Sequence, residues 1–290
     1  MKHKKVKLTL SNKDYDERLL PATRRSQFKD IITHEYRTLL LIGMWLLIFF
    51  VPIILLESFS NIFIYTYIEQ NNTNLTPEEM KTFEMAFTII KESALVLGYM
   101  IFAIGVSGAL RIVRNLVYGE VIFFKNDFLL GMRSYWKLCI FSALVFSLLK
   151  GMTNLLAYLV NNYANYSYLH IFSGFAIGIF YLLIVPIVFF YISLSMTYDL
   201  TFVRCLTLSI RFALANLLIA TVFSGVLFAL TFIWYIGILL VVDLILIVSM
   251  VFIAPIYILL WHLYVISRFD KYINEQQFPS VFKKGLRKGE

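Results

Sequence analysis

Charge, cysteine and histidine are scarce in this 290-residue sequence, and each scarcity closes off a class of protein. Asp, Glu, Lys and Arg make up only 15% of the chain while 60% is hydrophobic, well above the roughly 45 to 50% apolar share of a water-soluble domain. Water is therefore not the main solvent of this protein. The two cysteines, Cys139 and Cys205, lie far apart and cannot supply a disulfide framework. The four histidines (His3, His34, His170, His262) are scattered, with no CxxC, no HExxH and no close grouping with Asp or Glu. A dedicated metal site is not expected, because metal ligands come in closely spaced sets. Walker A and GxSxG sequences are also missing, so ATP hydrolysis, zinc proteolysis and serine esterase chemistry have no support. No catalytic residue and no cofactor is expected.

What the sequence has in quantity is long apolar runs. A bilayer core about 30 Å thick needs around 20 helical residues, because backbone polar groups in lipid must be satisfied within the segment itself. Six such segments run approximately from Thr38 to Leu56, Ser93 to Val113, Trp136 to Val160, Leu169 to Thr197, Phe212 to Ile233 and Gly237 to Ser267. The last two are joined by a tight turn near Trp234, Tyr235 and Gly237. The expected fold is all-α, a polytopic helical membrane protein of six spans. It divides into a cytoplasmic N-terminal segment (1–37), the six-helix transmembrane domain (38–267) and a cytoplasmic C-terminal tail (268–290). The first apolar run starts late and is far too long for a signal-peptide core, so no cleavable leader is expected.

Lysine and arginine are retained on the cytoplasmic side of a membrane. The segment to Arg37 carries 10 of them, the stretch from Arg111 to Lys137 carries 5, Arg204 and Arg211 give 2 and the tail from Arg268 has 6. These 23 of the 26 basic residues lie on alternate, same-side segments, which places both termini inside. The opposite loops are rich in Asn, Tyr and Glu, and three N-x-S/T sequons beginning at Asn71, Asn74 and Asn165 are expected outside. The net charge of +8 matches anionic lipid headgroups at the ends of the spans and not nucleic acid, which is not an expected partner. The localisation implied is a multi-pass membrane protein with both termini cytoplasmic.

Outside the lipid, Thr76, Pro77, Glu78 and Glu79 spell a capped helix start. The series Met80, Phe83, Phe87, Ile90 then runs at helical spacing into the second span. Continuation of the first span through Phe59, Ile62, Phe63 and Tyr67 gives an external helical hairpin closed at Asn71 to Asn74. It would project about 20 Å and bring Glu57 beside Lys91. On the inner side, Phe28, Ile31 and Ile32 beneath Arg24, Arg25 and Lys29 form an in-plane amphipathic pattern. The segment from Tyr118 to Tyr135 repeats it. There Phe123, Phe124, Asp127 and Phe128 read either as interfacial anchors or as a cytoplasmic docking surface for a partner such as a transporter. Three units of amphipathic segment, ascending span and descending span can be outlined from Phe28, Phe128 and Phe202.

Lys150 and Asp243 are the charges least able to reach water, at about 2.5 to 3.5 kcal/mol each at a helix centre. Their depths allow a direct pair, and with Asn154 they form a candidate intramembrane polar site. Separate snorkelling of Lys150 and local hydrogen bonding of Asp243 is the competing expectation. Gly105 to Gly108 spell GxSG, as in intramembrane rhomboid proteases, with His262 at similar depth. The same residues make ordinary small-xxx-small packing pairs, and packing is the reading taken. Pro52, Pro186 and Pro255 should kink spans one, four and six.

The run Gly105 to Glu120 (GVSGALRIVRNLVYGE), followed by Asn126, Asp127, Phe128 and Gly131, resembles the YesL-like family of bacterial integral membrane proteins. The segment Tyr198 to Asn216 (YDLTFVRCLTLSIRFALAN) fits the same pattern, and together they cover about half the chain. The external hairpin is longer than that family suggests. The resemblance implies an inner-membrane protein of no established activity, associated with carbohydrate uptake, and it transfers no catalytic residue. The expected function is a non-enzymatic accessory or assembly protein. The alternative is a small-solute transporter or channel built on Lys150 and Asp243. Substrate, partner identity and oligomeric state are not legible.

Overall fold

A computed structural model describes residues 20–71, 76–163, 167–231 and 238–287, and every regular element among them is helical. The order is α1 (Arg24–His34), α2 (Tyr36–Asn71), α3 (Pro77–Tyr118), α4 (Phe124–Tyr163), α5 (Ser167–Ile179), α6 (Val185–Thr197), α7 (Phe202–Ala215), α8 (Leu217–Thr231), α9 (Leu239–Val248), α10 (Ala254–Phe269) and α11 (Glu275–Gln277). Single π-helical turns join α5 to α6 at Phe180–Ile184, α9 to α10 at Ser249–Ile253 and α10 to α11 at Asp270–Asn274. Pro186 and Pro255 stand just past the first two. A proline has no N–H to give and its ring clashes with the carbonyl four residues back, so the ladder is reset there by a wider turn.

Five rods are long and apolar enough to cross a bilayer: Tyr36–Gln70, Pro77–Tyr118, Phe124–Tyr163, Tyr168–Thr197 and Leu239–Gln277. The bent pair α7 and α8 makes a sixth if counted as one crossing. The fifth span therefore differs from the straight run Phe212 to Ile233 expected from sequence. The chain turns through 95° at Asn216, whose side-chain amide bonds the carbonyl of Phe212. The bend leaves Arg204 and Arg211 exposed on α7, and α8 starts afresh at Leu217. The expected turn at Trp234 to Gly237, the hairpin closure at 72–74 and the sequon at Asn165 lie outside the described residues.

The outer extension is built as its sequence signals require. Thr76 caps α3 by accepting the N–H of Glu79, while the Glu79 carboxylate accepts the N–H of Thr76 at 2.8 Å. Above the spans α2 and α3 stay together through an aromatic ladder, with Tyr67 on Phe83 (ring centroids 3.9 Å apart) and Phe63 on Phe87 (5.2 Å). The outer end of α4 joins them. Tyr158 donates to the carbonyl of Lys81 and to Glu84, and Lys81 donates to the carbonyl of Asn162. The expected pairing of α2 with α3 is present, and the end of α4 packs beside it.

At the inner end, Gly119 in the left-handed region (φ 66°) ends α3. Phe124 then opens α4, which runs unbroken to Tyr163. No separate in-plane helix exists between Tyr118 and Tyr135, in contrast to the sequence pattern. Only the first and third outlined units begin with a short helix of their own, α1 and α7. The seam of α3 and α4 explains the continuity. Phe128 is fully buried, its ring where a Cβ on Gly108 would collide (2.8 Å), between Trp45, Phe49 and Phe124. Gly131 meets the carbonyl of Ser107 and the Cα of Gly108. The GxSG residues are thus a packing seam. Lipid is as apolar as leucine, so such close backbone approach, which maximises dispersion contacts, is what holds membrane helices together.

Candidate functional site

Lys150, Asn154 and Asp243 do not converge on one point. Lys150 Nζ lies 4.0 Å from Glu92 Oε2 on α3 and 5.5 Å over the ring of Tyr99. Asn154, one turn further along α4, donates to the other oxygen, Glu92 Oε1, at 3.0 Å. Asp243 of α9 instead accepts from Ser58 Oγ of α2 at 2.8 Å. The direct Lys150 to Asp243 pair is replaced by two separate partnerships, each on the seam of neighbouring helices.

These contacts line up into a transverse belt. The anticipated pair of Glu57 and Lys91 is present at 3.1 Å, with both side chains largely buried. Ser58 and Glu57 are consecutive on α2 and face α9 and α3. Lys91 and Glu92 are consecutive on α3 and face α2 and α4. One polar chain therefore crosses four helices, from Asp243 through Ser58, Glu57, Lys91 and Glu92 to Lys150 and Asn154. It contains two cations and three anions, and each ion has a partner. Partial burial makes such pairing obligatory, since an unpaired charge there would cost several kcal/mol.

Helix arithmetic locates this belt. Glu57 is 20 residues from Arg37 on α2, and Glu92 is 19 residues from Arg111 on α3. At 1.5 Å per residue these are about 30 and 28 Å, the thickness of a hydrocarbon core. Between the two levels neither helix carries an ionisable Asp, Glu, Lys or Arg. The belt stands at one end of this uncharged stretch of α2 and α3, and Lys150 meets it there through Glu92.

The four residues expected to form a docking surface separate in the same way. Phe123 is 67% exposed, and Phe124 is half-buried against Trp45. Asp127 is engaged, accepting from the backbone N–H of Phe123 at 2.8 Å and lying 3.8 Å from Arg111. Phe128 is core and cannot meet a partner. Of the expected surface only Phe123, with neighbouring Val121, stands free.

A second polar constellation, at the inner end, had no sequence signal. Arg24 donates to Asp270 Oδ2 (2.8 Å), to the carbonyl of Lys284 (3.0 Å) and to Gln27. The Gln27 amide is buried and bridges the carbonyls of Val117 (2.7 Å) and Gly285 (3.1 Å). Asp270 also accepts from Asn274 and from the backbone of Lys283, and Tyr198 donates to Asn274. Lys284 closes the knot on Glu120 at 2.6 Å. The segment expected to be a free tail folds back as a strap joining α1 to the ends of α3, α6 and α10. Its partners are separated by up to 260 residues, so no local pattern could reveal them. Among the described residues no three His, Cys, Asp or Glu side chains converge as a metal site would require.

No family model, curated protein or solved structure matches the chain.

Proposed function

We propose that this chain is a six-span protein of the bacterial cytoplasmic membrane, with both termini inside, acting as a non-enzymatic accessory or assembly protein beside a transport system such as a carbohydrate importer. The orientation rests on the lopsided distribution of lysine and arginine. The accessory role rests on one observation above others: the charges that could have served a solute path each have a partner on a neighbouring helix. What faces the cytoplasm is a locked strap and the exposed corner of Val121 and Phe123. The YesL-like resemblance of Gly105 to Glu120 points the same way.

The test is a photo-crosslinking amino acid at Phe123 in native membranes, followed by mass spectrometry of the adducts. A reproducible adduct to a permease or ATPase component, absent when the probe replaces buried Phe128, supports the role. Equal, unspecific labelling from both positions overturns it. The transporter reading draws on Asn154, which is exposed and bonded to the Glu92 and Lys150 pair, and on π-helical turns of the kind found at functional sites. It requires that single cysteines at Lys150, Asn154 and Asp243 react from the aqueous phase in intact cells and that solute protects them.

A further inference from the structure

The 95° elbow between α7 and α8 gathers basic side chains beside an apolar ridge. On α7 the residues Cys205, Ser209, Phe212 and Ala213 are buried against the bundle. Val203, Leu206, Ile210 and Leu214 recur at helical spacing on a second face and are exposed, as are Leu217, Leu218 and Val222 beyond the bend. With α8 along the membrane normal, α7 lies in the plane and this ridge enters the acyl region. Arg204 and Arg211, two turns apart, share a third flank and are exposed.

That flank meets α11, and the neighbouring buried face packs on the end of α10. Arg204 bonds Gln277 at 3.1 Å, and the ring of Phe212 meets Phe269 (5.2 Å) and Tyr272 (6.1 Å). There the Arg268 guanidinium lies 5.2 Å over Tyr264 and the Lys271 ammonium 5.2 Å over Tyr272. The half-buried Tyr264 hydroxyl also lies beside Arg268. The nearby acids are Asp199 before α7 and Glu275 one turn past Lys271, both exposed, while Asp270 is taken up by Arg24, Asn274 and Lys283. Four cations against two anions leave the corner positive.

We propose that this elbow is a headgroup site for an anionic phospholipid of the inner leaflet, with Arg211 and Arg268 holding the phosphate and the α7 ridge receiving the acyl chains. Guanidinium groups match phosphate oxygens two at a time, and tyrosines at this level suit the interface. The adjoining ridge selects an amphiphile over free phosphate. The site rests on the membrane-spanning reading and its orientation, and not on the accessory role.

The test uses the purified full chain in detergent, with retained lipid counted by native mass spectrometry against dioleoylphosphatidylglycerol and dioleoylphosphatidylcholine. Each basic group near an anionic surface is worth about fivefold in affinity, so Arg211→Gln with Arg268→Gln should weaken phosphatidylglycerol binding roughly 30-fold. The control pair Arg25→Gln with Lys29→Gln, exposed on α1 and away from the elbow, removes the same charge from the inner surface and should weaken binding clearly less than the elbow pair. Arg211→Lys with Arg268→Lys keeps the charge and should retain most binding, which keeps the test valid if the Gln pair misfolds. Equal retention of phosphatidylcholine, an equal loss in the α1 control, or displacement by inorganic phosphate at matched concentration would each overturn the site. Failure of the membrane-spanning reading shows separately, as release of the parent chain from membranes by alkaline carbonate.

Discussion

Replacing Gly285 by Ala should unfasten the inner strap while leaving the rest of the bundle in place. Gly285 sits at φ 77°, a region that costs a residue with a Cβ about 1 to 2 kcal/mol. The added methyl would also run into the carbonyl of Val117, the same oxygen that accepts the Gln27 amide. Relieving that clash must stretch the Gln27 bridge, whose two hydrogen bonds contribute about 0.5 to 1.5 kcal/mol each. The combined loss of about 2 to 5 kcal/mol falls on local opening, which corresponds to exchange faster by on the order of a hundredfold or more. Hydrogen–deuterium exchange mass spectrometry in detergent reads this directly. The peptide 278–287 should exchange much faster in the variant, with the outer segment 77–91 unchanged. Lys283, also at positive φ (51°), supplies the opposite perturbation, since Lys283→Gly relieves strain and should slow exchange or leave it unaltered. Unchanged protection of 278–287 in Gly285→Ala would refute the strap as the element that ties the C-terminal segment to α1 and α3.

Other consequences follow from the same contacts. Lys150→Met or Glu92→Gln alone should each lower thermal stability by roughly 1 to 3 kcal/mol, because each leaves a half-buried polar group unpaired. The double variant should recover part of that loss, whereas Lys150→Met with Asp243→Asn should be additive; thermal melts across both cycles distinguish them. Phe128→Ala should cost about 3 kcal/mol or more, since it empties the hole between Gly108 and Trp45, while Phe123→Ala should stay within about 0.5 kcal/mol. Equal melting temperatures for these two would contradict the placement of Phe128 in the core. Tyr67→Ala with Phe83→Ala should loosen the outer extension, read as faster exchange over 77–91 without loss of membrane insertion.

The parts of this fold that were legible in sequence are those set by local chemistry. Thr76 and Glu79 cap α3 as their spacing requires, and the register of two helices joined by a short closure fixes Glu57 beside Lys91. Lys150 was legible as a charge in need of a partner, but that partner is Glu92 on α3 and not Asp243, because Tyr158 on Glu84 and Asn154 on Glu92 hold α4 against α3 along this stretch. Phe128 shares its pattern with Phe123 and Phe124, and only the facing glycines, Gly108 and Gly131, distinguish a knob in a hole from an interfacial anchor. Gly108 was visible within the small-residue run of α3, but its pairing with Phe128 and Gly131 of α4 is a tertiary fact. The strap and its Arg24 to Asp270 pair lie beyond any periodicity, because they join the two ends of the chain.

The central proposal is the threading of six spans between a belt of paired charges expected outside and a knot, expected inside, that joins α1 to Lys283, Lys284 and Gly285. Single cysteines at Glu78 and at Lys283, in a background where buried Cys139 and Cys205 are changed to Ser, test it with a membrane-impermeant maleimide on intact cells. The threading predicts prompt labelling at position 78 and labelling at position 283 only after the membrane is opened. Labelling at position 283 in sealed cells, or protection of both positions, would contradict it.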